Sequence, residues 1–368
     1  MKHGPPHPWD LSPSDAMRLQ RDLAARVVRT GVLAERDVRL VAGGDVAFDR
    51  QNRRAVAAVV VLAYPSLEVV EQVTRESSVT FPYVPGLLSF RETPVLLPAF
   101  ERLASVPDLL MVDGHGYAHP RRFGFACHLG LLLDLPTIGI AKSRLIGEPG
   151  TVAGPRGSRA DLIDAGEVIA SLLRTRQGVR SIFVSVGHRI GLDDAERWVL
   201  RCAPTHRLPE PTRRADLLAG EAKRRMLAMT LEMIVEQRAG ERGRWEWVSD
   251  EERIVYRHDL DPMPAHYGCA DGIICAGDGE LLDIMLVDAR VPERGDRLQV
   301  RVVDVLEKAD GDHKLLAIPA DHPEEPLVGV RERIFAWYRA QGKPVTEWKG
   351  EEGARKVIAD SRAYTEQR

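Results

Sequence analysis

The chain has 368 residues, of which 44% are hydrophobic and 29% charged, enough apolar content for two cores at roughly 150 residues per domain. Its 51 basic and 54 acidic residues give a formal charge of −3, which excludes nucleic-acid binding by bulk positive charge but leaves room for one basic face beside an acidic metal site. No apolar run approaches the ~18–20 residues of a membrane span, the start MKHGPPHPWDLSPSD lacks a secretory pattern, and Cys127, Cys202, Cys269 and Cys275 are too scattered for a zinc site. A reduced, cytoplasmic enzyme is expected.

The segment SPSDAMRLQRDLAARVVRTG reads as a helix capped at Ser12 or Ser14 and stopped near Gly31. Three strand-like runs follow, RLVAGGDVAFD, AVAAVVVLAY and LEVVEQVTRESSVT. Their short connections suggest an antiparallel meander, the first two strands apolar on both faces and the third with one wet face. The pattern then alternates: helix PVLLPAFERLAS, strand DLLMVDGHG, helix FGFACHLGLLLD, strand TIGIAK, helix GEVIASLLRT, strand SIFVSVGHR, helix LDDAERWVLRCA. A meander followed by strand–helix alternation predicts an α/β domain, a mixed sheet with helices on its faces. DLLAGEAKRRMLAMTLEMI reads as a helix, with a domain boundary near 225–232 that separates 1–228 from 229–368. Beyond it, RWEWVS, ERIVYRHD, GIICAG, LLDIMLVDARV, DRLQVRVVDVLEK and KLLAIPA are short strands between Gly/Asp/Pro turns, the spacing of a small β-barrel. Two helices, VGVRERIFAWYRAQ and EEGARKVIADSRAYTEQ, close the chain.

Three carboxylates of the first half stand where carboxylates are costly. Asp45 interrupts an apolar strand, Asp113 ends another, and Glu92 follows the turn FPYVPGLLSFRE. Burial of such a group is unfavourable unless a cation or several donors compensate it. Each alone is also explained as a turn former or a structural ion pair. Together, among glycines and without a nearby thiolate, they suit Mg²⁺ or Mn²⁺ and phosphodiester chemistry.

GGDVAFD, FPYVPGLLSFRE, DGHGYAHPRRFGFACHLGLLLDLPTIGIAK, VGHR and RLPEPTRRAD occur in that order over residues 15–220, and this series resembles the endonuclease V family. The resemblance implies an RNase H-like fold and Mg²⁺-dependent nicking of deoxyinosine-containing DNA at the second phosphodiester 3′ to the lesion; some members cut inosine in RNA. It implies that Asp45, Glu92 and Asp113 hold the metal, with Asp216 beside them, and that Lys142 assists attack or steadies the phosphate. Pro82, Tyr83, Val84 and Pro85 resemble the family's wedge, whose stiff aromatic tip fills the gap left by a flipped base. Gly114, His115 and Gly116 resemble its lesion pocket, and His119, Arg121 and Arg122 are expected to contact phosphates.

The second half carries Asp278, Glu280 and Asp283 in GDGELLDIMLV, then Asp310, Asp312 and Lys314 in EKADGDHKLLAIP. EF-hand spacing is absent, and two acidic hairpin turns are the plainer alternative. Residues ~230–360 resemble the family I inorganic pyrophosphatases, β-barrels that use several Mg²⁺ ions. Glu236, Arg244, Glu246, Arg257, Pro264, Tyr267, Gly268, the acidic signature and the pair Tyr338–Arg339 carry that resemblance. It implies metal binding by Asp278, Asp283, Asp310 and Asp312 and water orientation by Glu280. Pyrophosphate would be bound by Arg244, Arg257, Tyr267, Lys314, Tyr338 and Arg339, in a domain that commonly forms homo-oligomers. Glu280 stands for the family's Asp and Leu281 for its Pro, and a carboxylate displaced by about 1 Å can lower a rate ~10²-fold. Two readings remain open: pyrophosphate hydrolysis, or an inactive domain that binds phosphates or partners or dimerises.

Overall fold

The computed structural model describes residues 7–49, 53–308, 310–321, 327–343 and 345–367. Its contacts divide the chain into two compact units with the main boundary between Lys223 and Arg224, and Arg53 and Arg54 group with the second.

In the first unit, α1 (Pro13–Ala24) is capped by Ser12, whose hydroxyl accepts from the Asp15 N–H. The helix ends at Ala24, not near Gly31. Beyond it Val28 leaves the helical bonding pattern and donates its N–H to His188 Nδ1. The elements that follow are β1 (Leu40–Asp49), β2 (Arg54–Ala63), β3 (Val69–Ser78), α2 (Leu88–Glu101), β4 (Leu109–Asp113), α3 (Phe125–Leu133), β5 (Thr137–Ala141), β6 (Glu148–Pro149), β7 (Arg159–Asp164), β8 (Glu167–Leu173), β9 (Ile182–His188), α4 (Leu192–Cys202) and α5 (Glu210–Ala228).

The strands make one nine-stranded sheet in the order β3-β2-β1-β4-β5-β9-β8-β7-β6. β1, β4 and β5 run parallel, while β9, β8, β7 and β6 join antiparallel. β2 is buried along nearly its whole length, as its continuous apolar run predicts, and β3 shows the wetter pattern. One face packs Val59, Leu96, Phe100, Val112 and Leu129 around α2 and α3. The other packs Met111, Ile140, Val184, Trp198 and Val199 around α4.

The segment GEVIASLLRT is a strand, β8, and not the helix its sequence suggested. Asp164 pairs with Glu167 across Ala165 and Gly166, both at positive φ (52° and 80°), the two-residue turn that starts a hairpin. Pairing on both edges, to β7 and β9, outweighs the helical preference of Ala and Leu.

The helix expected through DLLAGEAKRRMLAMTLEMI also stops early, at Ala228, and TLEMI enters the next strand. In the second unit, β10 (Thr230–Gln237), β13 (His266–Ile274), β14 (Leu281–Leu286), β16 (Lys314–Pro319) and β15 (Arg297–Glu307) close into a five-stranded barrel. Closure is made by β10 against β15, Thr230 facing Arg301. The hairpin β11 (Arg244–Val248) and β12 (Arg253–His258) forms a separate sheet, and β17 (Glu347–Trp348) adds to β15. Met233, Ile284, Val300, Leu315 and Ala317 fill the barrel together with Ala354 and Ile358 of α7 (Gly350–Glu366). α6 (Val330–Ala340) packs Ile334 and Tyr338 against Tyr267, Met285 and Leu316. Among the described residues no helix is long and apolar enough to cross a membrane, and the four cysteines are buried free thiols.

Candidate active site and a second acidic cluster

The two glycines before Asp45 explain how the first acidic group is assembled. A Cβ on Gly43 would lie 2.0 Å from the Pro211 carbonyl oxygen of α5, and one on Gly44 would lie 3.3 Å from the Leu96 side chain of α2. Two bare positions in β1 thus let a helix approach each face of the strand. α5 brings Asp216 into electrostatic range of Asp45, and α2 brings Glu92. Asp113 ends β4, the parallel neighbour of β1.

These acids respond to one another. Burial, then the charges of Asp113 and Asp216, push the Asp45 carboxyl up to about 6. Glu92 is raised well above its ordinary value by burial, Asp45 and Asp113, with Arg91 only partly offsetting them. A single lysine, Lys142 at the end of β5, forms an ion pair with Asp113. Its side chain is 42% exposed. Asp216 is exposed. Four carboxylates offset only in part by Lys142 and Arg91 form a site short of positive charge, as cation-binding centres are.

Beside this group lies a cavity of about 380 Å³, lined by Tyr83, Val84, Pro85, Gly86, Asp113, Gly114, His115, His119, Lys142 and further residues of the α1, α2 and α3 segments. Tyr83 is 71% exposed on its rim, and Pro82 is exposed beside it. Gly116 does not line the cavity. A Cβ there would fall 2.1 Å from the Val186 carbonyl oxygen, so its smallness serves packing.

Gln20, Gly86 and Ser89 also line the cavity and escaped the sequence reading. Nothing in the sequence marks a lone Gln in an amphipathic helix, although the Ser89 hydroxyl is buried without a partner.

His119, Arg121 and Arg122, expected to contact phosphates, have partners within the protein. The Gly86 carbonyl accepts from His119 Nε2 at 2.9 Å, Arg121 Nη2 at 2.8 Å and Gln20 Nε2 at 3.1 Å. Arg121 Nε donates to Gln20 Oε1 at 2.5 Å. Arg122 is paired with Asp164 at 2.7 Å and Glu167 at 3.1 Å. Burial, then Arg121, lowers His119 to about 4, so it is neutral near pH 7.

In the second unit Asp283 and Lys314 face each other across the parallel pair β14–β16. Lys314 forms ion pairs with Asp283 and Asp312. Lys308, 7% exposed, bridges Asp312 at 2.6 Å and Asp310 at 3.1 Å. Tyr267 and Tyr338 are buried beside Lys314, and the Arg244 guanidinium lies 4.4 Å over the Tyr267 ring. Burial disfavours the charge of Lys314, yet Tyr267 and Asp283 hold its pKa above the ordinary value. Burial raises Glu236 to about 7 against the Trp247 N–H that its Oε1 accepts at 2.7 Å, and its Oε2 has no partner.

Asp278 and Glu280 lie in the turn before β14. Both are exposed, and Asp278 accepts from the Glu280 N–H at 3.0 Å as a turn aspartate does. Arg257 is exposed and paired with Glu246 at 2.7 Å, and exposed Arg339 lies over the Phe335 ring at 5.0 Å. Lys308 and Lys343 are additional members that the sequence did not mark. Lys343 is lowered by burial and by the charges of Arg244, Lys314 and Lys308. Among the described residues, no three His, Cys, Asp or Glu side chains are drawn together as a preformed metal-ligand cluster. In both units charge interaction, not shared ligand spacing, links the acids.

Comparison with known proteins agrees with this division. The profile of the Endonuclease V family matches residues 21–217, and that of the Inorganic pyrophosphatase family matches residues 233–366. Endonuclease V of Gloeobacter violaceus is 54% identical over 212 residues, 57% of this chain and 85% of that protein. Endonuclease V of Dehalococcoides mccartyi is 50% identical over 215 residues, 58% of this chain and 96% of that protein. The crystal structure of endonuclease V from Streptomyces avermitilis is 44% identical with a TM-score of 0.57, covering 60% of this chain and 96% of its own. That of Ciona intestinalis endonuclease V, in complex with a 24mer DNA containing an inosine followed by a ribo-adenosine, is 30% identical with a TM-score of 0.51. It covers 57% of this chain and 97% of its own. Both matched families are generally divalent-metal dependent. The chain belongs to the endonuclease V family and continues into an inorganic pyrophosphatase domain.

Proposed function

We propose that the first unit nicks deoxyinosine-containing DNA at the second phosphodiester 3′ to the lesion, with Mg²⁺ held by Asp45, Asp113 and Asp216 and with Glu92 and Lys142 acting in the reaction. The observation that carries this reading is the under-compensated carboxylate group beside a cavity rimmed by Tyr83. When bound, the ion lowers the pKa of water and neutralises charge on the scissile phosphate. Glu92, buried and raised, is suited to accept a proton from the attacking water once a cation stabilises its charged form. Lys142 can leave Asp113 for a phosphate oxygen when the ion arrives, because its side chain is solvent-accessible. Tyr83 stands in the stack in place of the displaced base, and the backbone of Gly114 and His115 reads the hypoxanthine edge inside the cavity. The crystal structure of the Ciona relative with inosine-containing DNA supports the substrate class. Mapping the product of an end-labelled duplex with one deoxyinosine tests it. A Mg²⁺-dependent nick one phosphodiester beyond the adjacent bond on the 3′ side is expected. Cutting that ignores the lesion overturns the reading.

For the second unit we infer binding of phosphate-bearing anions over hydrolysis of pyrophosphate. Supporting this are the internal ion pairs that already occupy Asp283 and Asp312 through Lys314 and the exposed turn positions of Asp278 and Glu280. Release of phosphate from pyrophosphate by the full chain is expected to stay at background with Mg²⁺. Release that Asp283→Asn abolishes would establish hydrolysis instead.

A further inference from the structure

The two acidic groups of this chain differ in one respect that their sequences do not reveal. In the first unit, Lys142 pairs with Asp113 and lies in range of Asp45 and Asp216, while Glu92 is offset only partly, by Arg91. In the second, Asp283, Asp310 and Asp312 are matched by two ammonium groups. Lys314 joins Asp283 to Asp312, and Lys308 joins Asp312 to Asp310. Arg244 and Lys343 add positive charge nearby.

We propose that Lys308 and Lys314 are built-in counter-ions that take the place of divalent cations in the C-terminal acidic cluster. Both side chains are only 7% exposed, in contrast to Lys142. A divalent ion entering among Asp283, Asp310 and Asp312 would strip a buried ammonium of its partners without offering it water, which is strongly unfavourable. The cations around the cluster repel a further one: Lys343 is lowered by burial and then by the charges of Arg244, Lys314 and Lys308. The metal set that the fold family implies therefore does not fit the side chains present. Lys314 alone would leave Asp310 without a cation; Lys308 completes the pairing. The sequence hides this, because a lysine two residues before an Asp-Gly turn looks like an ordinary solvated strand end.

This inference rests on the reading of the second unit as an anion-binding domain, and the test separates the two. Free Mn²⁺ is titrated by electron paramagnetic resonance against the full chain, with Asp45→Asn as the control that must lower the count. Asp312→Asn is expected to bind as many Mn²⁺ as the wild type, and Lys308→Met to bind at least one more. A lower count for Asp312→Asn, or no gain for Lys308→Met, overturns the proposal. Lys308→Met leaves Asp310 without its ammonium and Asp312 with only Lys314, so its melting temperature should fall and recover with Mn²⁺. A fall that Mn²⁺ does not recover also overturns it. Separately, labelled pyrophosphate is dialysed against the wild type with a chelator present. Retention is expected, and its absence overturns the anion-binding reading while the Mn²⁺ counts still judge the counter-ions.

Discussion

At the scale of single residues, the first unit holds acids whose environments disfavour their charge. Glu92 is buried in α2 with two other carboxylates in range, and Asp45 is raised to about 6 by burial and like charge. Lys142 and Arg91 offset these effects only in part. Asp45 and Asp113 were legible because polar residues in apolar strands demand compensation. Asp216 was legible only through the family pattern, since an exposed acid on a helix has no signature by itself. Tyr83 was legible as an aromatic between prolines, and its 71% exposure is unusual for a large ring with no functional use. Tyr83→Ala should reduce discrimination between deoxyinosine and normal duplex while leaving Mg²⁺ affinity unchanged, measured as the ratio of nicking rates on the two substrates. An unchanged ratio would return Tyr83 to a surface residue.

At the scale of elements, β1 is the organiser. Its paired glycines admit α5 on one face and α2 on the other, and this double approach gathers acids that lie over 160 residues apart in sequence. The loop after Pro85 is fixed by a comparable device. Gly86 has φ +78°, and its carbonyl is held by Gln20, His119 and Arg121. Gln20→Ala should loosen the Tyr83 turn and lower lesion selectivity several-fold with little change in nicking of bound substrate. A matching fall in both quantities would mean that Gln20 supports the fold alone. Gly86→Ala should destabilise by about 1–2 kcal/mol, because an L-residue is disfavoured in this conformation; its new Cβ would also meet Arg121 Nη2 at 2.8 Å.

The start of α5 adds a pH dependence of known sign. Bonds from Arg213, then Arg214 and His206, lower Glu210 to about 2 despite burial. Its ordinary value is 4.5, so its stabilisation is complete above about pH 4.5 and is lost as pH falls toward 2. Denaturation curves for Glu210→Gln should converge on the wild type between pH 4.5 and 2; a constant gap would contradict the assignment.

At the scale of the whole molecule, the strand–helix grammar of the first unit and the turn-rich strands of the second were readable from periodicity alone. Errors fell where local preference and pairing compete. GEVIASLLRT became a strand because its neighbours offered two edges, and TLEMI left its helix to close the barrel at β10. The sequence marked the acids that the structure groups and the exposed Tyr83 turn beside them. What remained hidden were the residues that act through other residues: Gln20 through Gly86, and Lys308 through Asp310 and Asp312. Such roles depend on spatial neighbours, which a spacing rule along the chain does not reveal. The two units therefore carry acids of similar sequence appearance and opposite electrostatic state, one awaiting a cation and the other already neutralised.

The most direct measurement separates binding from cleavage at the first acidic group. Wild type, Asp45→Asn and Asp113→Asn are each titrated with a deoxyinosine duplex and assayed for nicking in Mg²⁺. The account predicts binding within a few-fold of wild type and nicking reduced on the order of a thousand-fold, as loss of several kcal/mol of transition-state stabilisation requires. Mg²⁺-dependent nicking that survives in both variants would contradict it.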